Sequence, residues 1–278
     1  NIGSAPRMGD VAAADAPVVP VKPIRNFRRR WLDLLQRVCT HREPTTTIAV
    51  VGAGAGGVEL LLAMQHRLRA EIRANGRQPD QLRFHLFTSS AQILPTHSAR
   101  VRERFLRELA ARGVLLHVGA EVGRVSGGHI ETCNGVSVDA DEIVWVTHAG
   151  GGRWLRDTGL ALDSDGFVQV EDSLCTVSDE RIFAAGDVAS LVSGPLAKAG
   201  VFAVRQGPIL AENLRRAALG RPLLRYRPQR RWLALITTGD RYAVASWGPI
   251  GLAGRWVWRW KDAIDRRFMA RYRDLPAR

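Results

Sequence analysis

The chain has 278 residues, 46% of them apolar and 24% charged, the balance of a globular protein long enough for one large or two ordinary cores. No apolar run reaches the roughly 18 residues that a membrane-spanning helix needs, and residues 1–30 hold no apolar segment of the kind a secretory leader carries. The three cysteines, Cys39, Cys133 and Cys175, lie far apart with no Cys-x-x-Cys. That argues against a zinc ribbon or a local redox disulfide and for reduced thiols in a cytoplasmic setting. The net charge of +13 is concentrated in residues 221–278, where 14 Arg or Lys face 4 Asp or Glu. A basic tail of this kind suits an anionic surface, lipid or nucleic acid.

In chain order, residues 1–44 open rich in Pro and Ala and continue into a helix-like run over 24–38. Thr45–Thr47 lead into "IAVVGAGAGG", a buried strand that runs straight into a glycine loop. Leu61, Met64, Leu68 and Ile72 then recur at helical spacing over 58–74. A loop, "NGRQPDQ", precedes a second strand over 82–87. Val101, Phe105, Leu106 and Leu109 mark one face of an amphipathic helix that Gly113 ends. A meander is expected over 115–118, 122–125 and 130–132, turned by Gly127-Gly128 and by Asn134-Gly135, a strong hairpin signal. The run "IVWVT" over 143–147 shows no alternation and reads as a strand buried on both faces.

Further on, Ile182–Ala185 reads as a short apolar strand that stops on Gly186-Asp187. A helix is expected over 195–219, strands over 233–237 and 242–246 joined by Thr238-Gly239-Asp240-Arg241, and a last basic amphipathic helix. No internal repeat is visible.

Gly52, Gly54 and Gly57 satisfy Gly-x-Gly-x-x-Gly between a strand and a helix, with a second strand following. The first glycine permits the tight turn, the second lets the backbone approach a pyrophosphate, and the third lets helix and strand pack closely. The helix amino end offers N–H groups and a partial positive charge to the phosphates. The carboxylate that commonly binds the ribose 2′-OH is missing from the end of the second strand, which reads Phe87-Thr88-Ser89-Ser90. NAD preference is therefore unsupported, and NADP, met by Arg100 or Arg102, stays open beside the reading of both as plain surface arginines. Asp187 likewise has two readings. It either accepts hydrogen bonds from ligand hydroxyls at a sheet's carboxyl edge or caps a turn.

The order of these motifs resembles the pyridine nucleotide-disulfide oxidoreductase superfamily, the two-dinucleotide-binding-domain flavoproteins. The resemblance implies an α/β fold in which a Rossmann-like NAD(P) domain with a β-meander is inserted into an FAD domain. It implies that Asp187, after Gly186, binds the FAD ribityl chain. The opening "NIGSAPR" resembles the segment just before the NAD(P) insertion, so the first FAD-binding half is expected to precede Asn1. The expected division is 1–44 as FAD-domain remnant and linker, 45–149 as the NAD(P) domain and 150–220 as the rest of the FAD domain. Residues 221–278 follow as a small, basic α+β anchoring region.

Stretches such as "WVTHAGGGRWLRDTGLALDSDGFVQVEDSL" and "GRWVWRWKDAIDRRFM" are similar to the NADH-dehydrogenase-like module fused to bacterial selenide, water dikinase.

The implied activity is hydride transfer from NAD(P)H to FAD and onward to a small acceptor, a quinone or a selenium species. By the same resemblance, N–H groups of Lys198, Ala199 and Gly200 would face the flavin, and Lys198 either joins them or is a solvated lysine. Glu59 is either a favourably placed helix-start acid or a carboxylate beside nicotinamide or flavin. His148 stands near the flavin in the superfamily or is a structural histidine.

In the tail, Trp256, Trp260, Ile264, Phe268 and Tyr272 recur every four residues among arginines. Their face either packs on the body or lies in an anionic membrane, as in the related type II NADH dehydrogenases. The expected location is cytoplasmic, peripheral at the inner membrane if the helix docks there. The rival readings are a type II NADH:quinone oxidoreductase and a non-catalytic basic adaptor binding lipid or nucleic acid, with nucleic acid the less expected partner.

Overall fold

The computed structural model describes residues 2–6, 11, 16–40, 45–147 and 149–273. The chain runs β1 (Ala5–Pro6), β2 (Val18–Pro20), α1 (Ile24–Thr40), β3 (Thr46–Val51), α2 (Ala55–Ala74), β4 (Leu82–Phe87), α3 (Ala99–Ala111) and β5 (Val114–His117). A meander of β6 (Val122–Ser126), β7 (His129–Thr132) and β8 (Ser137–Asp139) leads to β9 (Glu142–Trp145) and β10 (Ala149–Gly150). After β11 (Val168–Val170), β12 (Ala189–Leu191) and α4 (Gly200–Ala218) come β13 (Leu233–Thr237), β14 (Ala243–Trp247), β15 (Ile250–Gly254) and α5 (Arg255–Arg273). Contacts gather these into two units, residues 1–7 with 148–232, and residues 8–147 with 233–278.

The larger unit is built on a five-stranded parallel sheet in the order β2-β9-β3-β4-β5. The run Ile48-Ala49-Val50-Val51 is apolar throughout because both faces of β3 are covered. Ile48 and Val50 pack with Leu61, Leu62, Leu68 of α2 and Val101, Phe105 of α3. Ala49 and Val51 pack with Phe87, Ile143 and Trp145 and with Val122, Val125 and Ile130 of the antiparallel meander. Helices on one face and a meander on the other thus account for the unalternating strands. At the sheet's rim, Glu142 is buried and held by Arg30 and Arg37 of α1, which supply the charge partners that a buried carboxylate requires.

The carboxyl-terminal strands β13-β14-β15 form an antiparallel sheet that packs on α2 and α3, and its Ile236 and Val244 enter the same core. Gly239 (φ +85°) lets the β13–β14 turn touch α2, where an added Cβ would stand 2.8 Å from the Ala63 Cα. Arg112, at the end of α3, ties this turn down, donating to the Thr238 carbonyl at 2.9 Å and pairing with Asp240 at 2.9 Å and Glu108 at 2.8 Å. Arg104 reaches the Tyr242 hydroxyl, and His97 lies 2.8 Å from Ser246. The structure therefore groups residues 233–273 with the parallel sheet, and residues 221–232 with the smaller unit, where a single region over 221–278 was expected.

The α5 helix buries only Val257, leaving Trp256 (52% exposed), Trp260, Ile264, Met269 and Tyr272 facing outward. Beside it, Leu233, Ala245, Trp247, Ile250, Leu252 and Trp260 line an apolar cleft of about 290 Å³. Among the described residues no helix is long and apolar enough to cross a membrane.

In the smaller unit β1 pairs antiparallel with β10, and β11 pairs parallel with β12 over a core of Leu155, Val168, Val170, Leu174 and Val188. The stretch 182–185, expected as a strand, is extended but makes one isolated bridge, Cys175 to Phe183. The ladder strand follows the Gly-Asp step instead, at Ala189–Leu191.

On β4 and β5, the rings of His85, Phe87 and His117 stack, with Phe87 and His117 at 4.4 Å. His85 Nδ1 is 3.0 Å from His117 Nε2, so one ring donates and the other accepts through a bare nitrogen. Burial, then His117 and Arg83, push His85 from its ordinary 6.5 down to about 4, and burial lowers His117 as well. The unfolded chain then takes up these protons at higher pH than the folded one. Stability should be full above about pH 6.5 and fall as pH drops from there toward about 4. Thermal melts across this window should show the loss, and His85→Leu should reduce it, leaving the parts that His117 and the half-buried His97 contribute. A melting temperature independent of pH would contradict the assignment.

Candidate functional site

The glycine loop follows directly from the sheet geometry. Val51 pairs with Phe87, and the Gly52 N–H donates to the Phe87 carbonyl at 2.8 Å, so the chain leaves β3 level with the end of β4. Gly52 has φ +116°, and a Cβ there would stand 2.6 Å from the Val146 carbonyl. At Gly57 an added Cβ would lie 1.8 Å from the Gly52 carbonyl oxygen. Both glycines are therefore required by contact. Gly54, the N-cap of α2, has nothing within 4 Å of its would-be Cβ, and no side chain caps the helix. A loop walled by Gly52 and Gly57 and bare at Gly54, in front of an uncapped helix start, has the shape and polarity a pyrophosphate requires.

Around this loop, Thr88 is buried and its hydroxyl accepts from the Ser90 N–H at 3.2 Å. Glu59, in the first turns of α2, turns to β13 and accepts from the Thr237 N–H at 3.1 Å and hydroxyl at 2.6 Å. Sequence reasoning gave no sign of this partner, 178 residues away. His148 lies outside the described residues.

The second cluster lies in the smaller unit. Gly186 takes φ +75° and starts a single 3₁₀ turn containing Asp187. The Gly186 N–H donates to Gln206 Oε1 of α4 at 2.6 Å, and the Asp187 carboxylate accepts from the Ser4 hydroxyl at 3.2 Å. Gln206 is buried, and nothing in its helical surroundings in the sequence singled it out. The helix expected from 195 begins at Gly200, so Lys198 precedes it. The Ala199 N–H is already given to the Ala197 carbonyl, leaving Gly200 at the uncapped start of α4.

Lys198 is not a solvated lysine. Its ammonium donates to the Ala189 carbonyl at 2.8 Å and lies 3.7 Å from the centre of the Phe167 ring. Burial lowers its pKa, while Asp163, Asp187 and Asp165 pull it back up. The half-buried ammonium is thus held close to Asp187, its charge countered by three carboxylates. Among the described residues no three His, Cys, Asp or Glu side chains are placed to hold a metal ion.

Gly57 of α2 and the N-cap Gly54 separate fold from binding. Gly57→Ala should destabilise the chain by about 2 kcal/mol or more, since backbone must move to admit the methyl. Gly54→Val should fold and melt like the parent yet lose about tenfold or more in dinucleotide affinity. Chemical denaturation and equilibrium binding read the two effects, and equal melting losses in both variants would refute the division.

The profile described as pyridine nucleotide-disulphide oxidoreductase matches residues 4–215. An NADH dehydrogenase-like protein of Mycobacterium tuberculosis is 30% identical over 145 residues, 52% of this chain and 36% of its own length. A type II NADH:quinone oxidoreductase of Haemophilus influenzae is 30% identical over 156 residues, 54% of this chain and 34% of its own. The match thus spans little more than a third of each relative. Among solved structures, NDH2 of Plasmodium falciparum in complex with NADH superposes with a TM-score of 0.77 at 12% identity, covering 96% of this chain and 72% of that one. An FAD-dependent pyridine nucleotide-disulphide oxidoreductase of Desulfovibrio vulgaris gives 0.62 at 22% identity, covering 89% and 59%. The glycine loop, the parallel sheet and the Gly-Asp turn are parts of one pattern, and the chain belongs to the pyridine nucleotide-disulphide oxidoreductase family.

Proposed function

We propose that this chain serves an FAD-dependent NAD(P)H oxidoreductase, passing hydride from NAD(P)H to FAD and electrons on to a small acceptor. The observation that carries the reading is the glycine loop, packed at Gly52 and Gly57 and bare at Gly54. When bound, the flavin supplies the hydride acceptance and the electron relay. The chain's own residues then bind and orient. The amino end of α2 holds the nicotinamide dinucleotide's pyrophosphate. Asp187 accepts hydrogen bonds from the ribityl hydroxyls, positioned by the left-handed Gly186 and by Gln206. Lys198 and the Gly200 N–H favour negative charge beside the flavin. Glu59, engaged by Thr237, acts by fixing α2 against β13.

For the acceptor we infer a quinone. The support is the named activity of the Haemophilus influenzae relative and the exposed apolar cleft along β14, β15 and α5. Trp256 and Trp260 stack at 6.5 Å on the exposed face, among Arg255, Arg259 and Arg267. Aromatic rings at headgroup depth flanked by arginines suit a helix lying on an anionic membrane. The Trp-rich tail also supports placing the chain in a longer selenide dikinase-type protein. Reading the sequence beyond Arg278 tests that placement, and a continuation without a kinase glycine loop removes it.

Purified protein incubated with FAD and desalted should keep a flavin absorption spectrum that NADH or NADPH bleaches. Asp187→Ala should retain about tenfold less flavin. A chain that takes up neither flavin nor dinucleotide but binds nucleic acid in a salt-sensitive way would favour the adaptor reading. For the tail, flotation with vesicles containing anionic lipid should carry the protein upward, less so after Trp256→Ala with Trp260→Ala. Equal flotation with and without the two tryptophans would sink the membrane assignment.

A further inference from the structure

The end of β4 bears on which nicotinamide dinucleotide the proposed site takes. The Gly52 N–H on the Phe87 carbonyl sets residue 88 beside the glycine loop, so a dinucleotide whose pyrophosphate lies at Gly54 passes its adenosine ribose over residues 88–90. A site selective for the unphosphorylated ribose places a carboxylate here, which accepts from the 2′-OH and repels a 2′-phosphate. This chain has Thr88, Ser89 and Ser90, and the connection runs from 88 to 102 without an acidic residue, the first being Glu103.

The turn is built to present hydroxyls. Thr88 gives its N–H to the His117 carbonyl at 3.0 Å and takes the Ala120 N–H on its own carbonyl at 2.8 Å. The Ser90 carbonyl accepts from the Gly119 N–H at 2.9 Å, and the Thr88 hydroxyl accepts from the Ser90 N–H. Pinned at both ends by the segment after β5, the turn leaves Ser89 exposed at its tip.

The amino end of α3 adds partial positive charge from the same side. In a β-α-β crossover the helix starts at the carboxyl edge of the strands, so the amino end of α3 faces the side of the glycine loop. Its first turn holds no acidic residue and begins after Ser98, whose hydroxyl oxygen is buried without a partner. Of the two arginines there, Arg102 spends its guanidinium on the His97 carbonyl. Arg100 is exposed.

We propose that this site prefers the 2′-phosphorylated dinucleotide, NADPH over NADH, with Ser89 and Arg100 as the residues that meet the phosphate. The inference rests on the oxidoreductase reading above and deepens it.

Titrating the purified full-length protein with NADP⁺ and with NAD⁺, followed calorimetrically, tests both. NADP⁺ should bind about tenfold tighter, the gap narrowing as salt screens the phosphate contact. Ser89→Asp should reverse the preference, and Arg100→Gln should weaken NADP⁺ alone. Circular dichroism melts confirm that each variant folds. Tighter NAD⁺ binding would overturn the preference while leaving the oxidoreductase reading intact. If Glu121→Gln then abolished that NAD⁺ preference, the discriminating carboxylate would sit on the neighbouring loop, and the assignment of Ser89 would fall with it. Binding of neither dinucleotide would overturn both readings.

Discussion

The carbonyl oxygen of Gly52 sits where a side chain on residue 57 would have to go, and much of the larger unit follows from that contact. Because α2 can approach β3 only over a bare Gly57, the helix starts at one place and at one height above the sheet. Its twenty residues then carry Val58, Leu61, Leu62, Leu68 and Ile72 onto the face of β3 and β4. The same approach leaves the helix start open in front of Gly54. Close packing and an anion-ready helix terminus are thus one geometric event, and a Cβ at residue 57 would disturb both.

The second constraint is the way the chain closes over α2 and α3 with its own distant end. Arg112 satisfies the Thr238 carbonyl and two carboxylates at once, while Gly239 removes the side chain that would hold the turn away. Apolar burial of Ile236 and Val244 supplies the gain and the polar contacts supply the register. This leaves α5 on the outside with one fully buried side chain, so Trp256 and Trp260 face solvent while Trp258 packs on the sheet. The helix owes its place to β14 and β15 rather than to a groove of its own.

Much of this was legible in the sequence because it is local. The unbroken apolar run before Gly52 announced a strand covered on both faces, and the spacing of Leu61, Leu68 and Ile72 announced the helix. Gly127-Gly128 and Asn134-Gly135 gave the meander its turns, but the run at 115–118, expected as its first strand, joins the parallel sheet as β5, and Ser137–Asp139 supplies the third strand instead.

What was not legible depends on partners far away in the chain. Ile182–Ala185 has strand-like composition, yet its neighbours offer one bridge, so composition exceeded pairing. Helix α4 starts at Gly200 rather than near 195, because the Ala199 N–H turns back to Ala197. The hold of Thr237 on Glu59 and of Gln206 on Gly186 pairs ordinary polar residues across long separations, which no spacing rule encodes. Lys198 read either as facing the flavin or as a solvated helix-start lysine, and its seat over Phe167 shows a cation drawn inward.

The larger unit is assembled from two stretches, 8–147 and 233–278, with the smaller unit's 148–232 lying between them in the chain. That order has a consequence for synthesis. A nascent chain that has emerged only to residue 147 has its parallel strands and its helices but lacks β13 and β14, whose Ile236 and Val244 complete the core over α2 and α3. The outer faces of both helices stay wet until the intervening segment has been translated, several seconds at about 5–20 residues per second. During that interval the sheet unit is an unfinished intermediate, and its completion waits on the ribosome rather than on the speed of its own collapse.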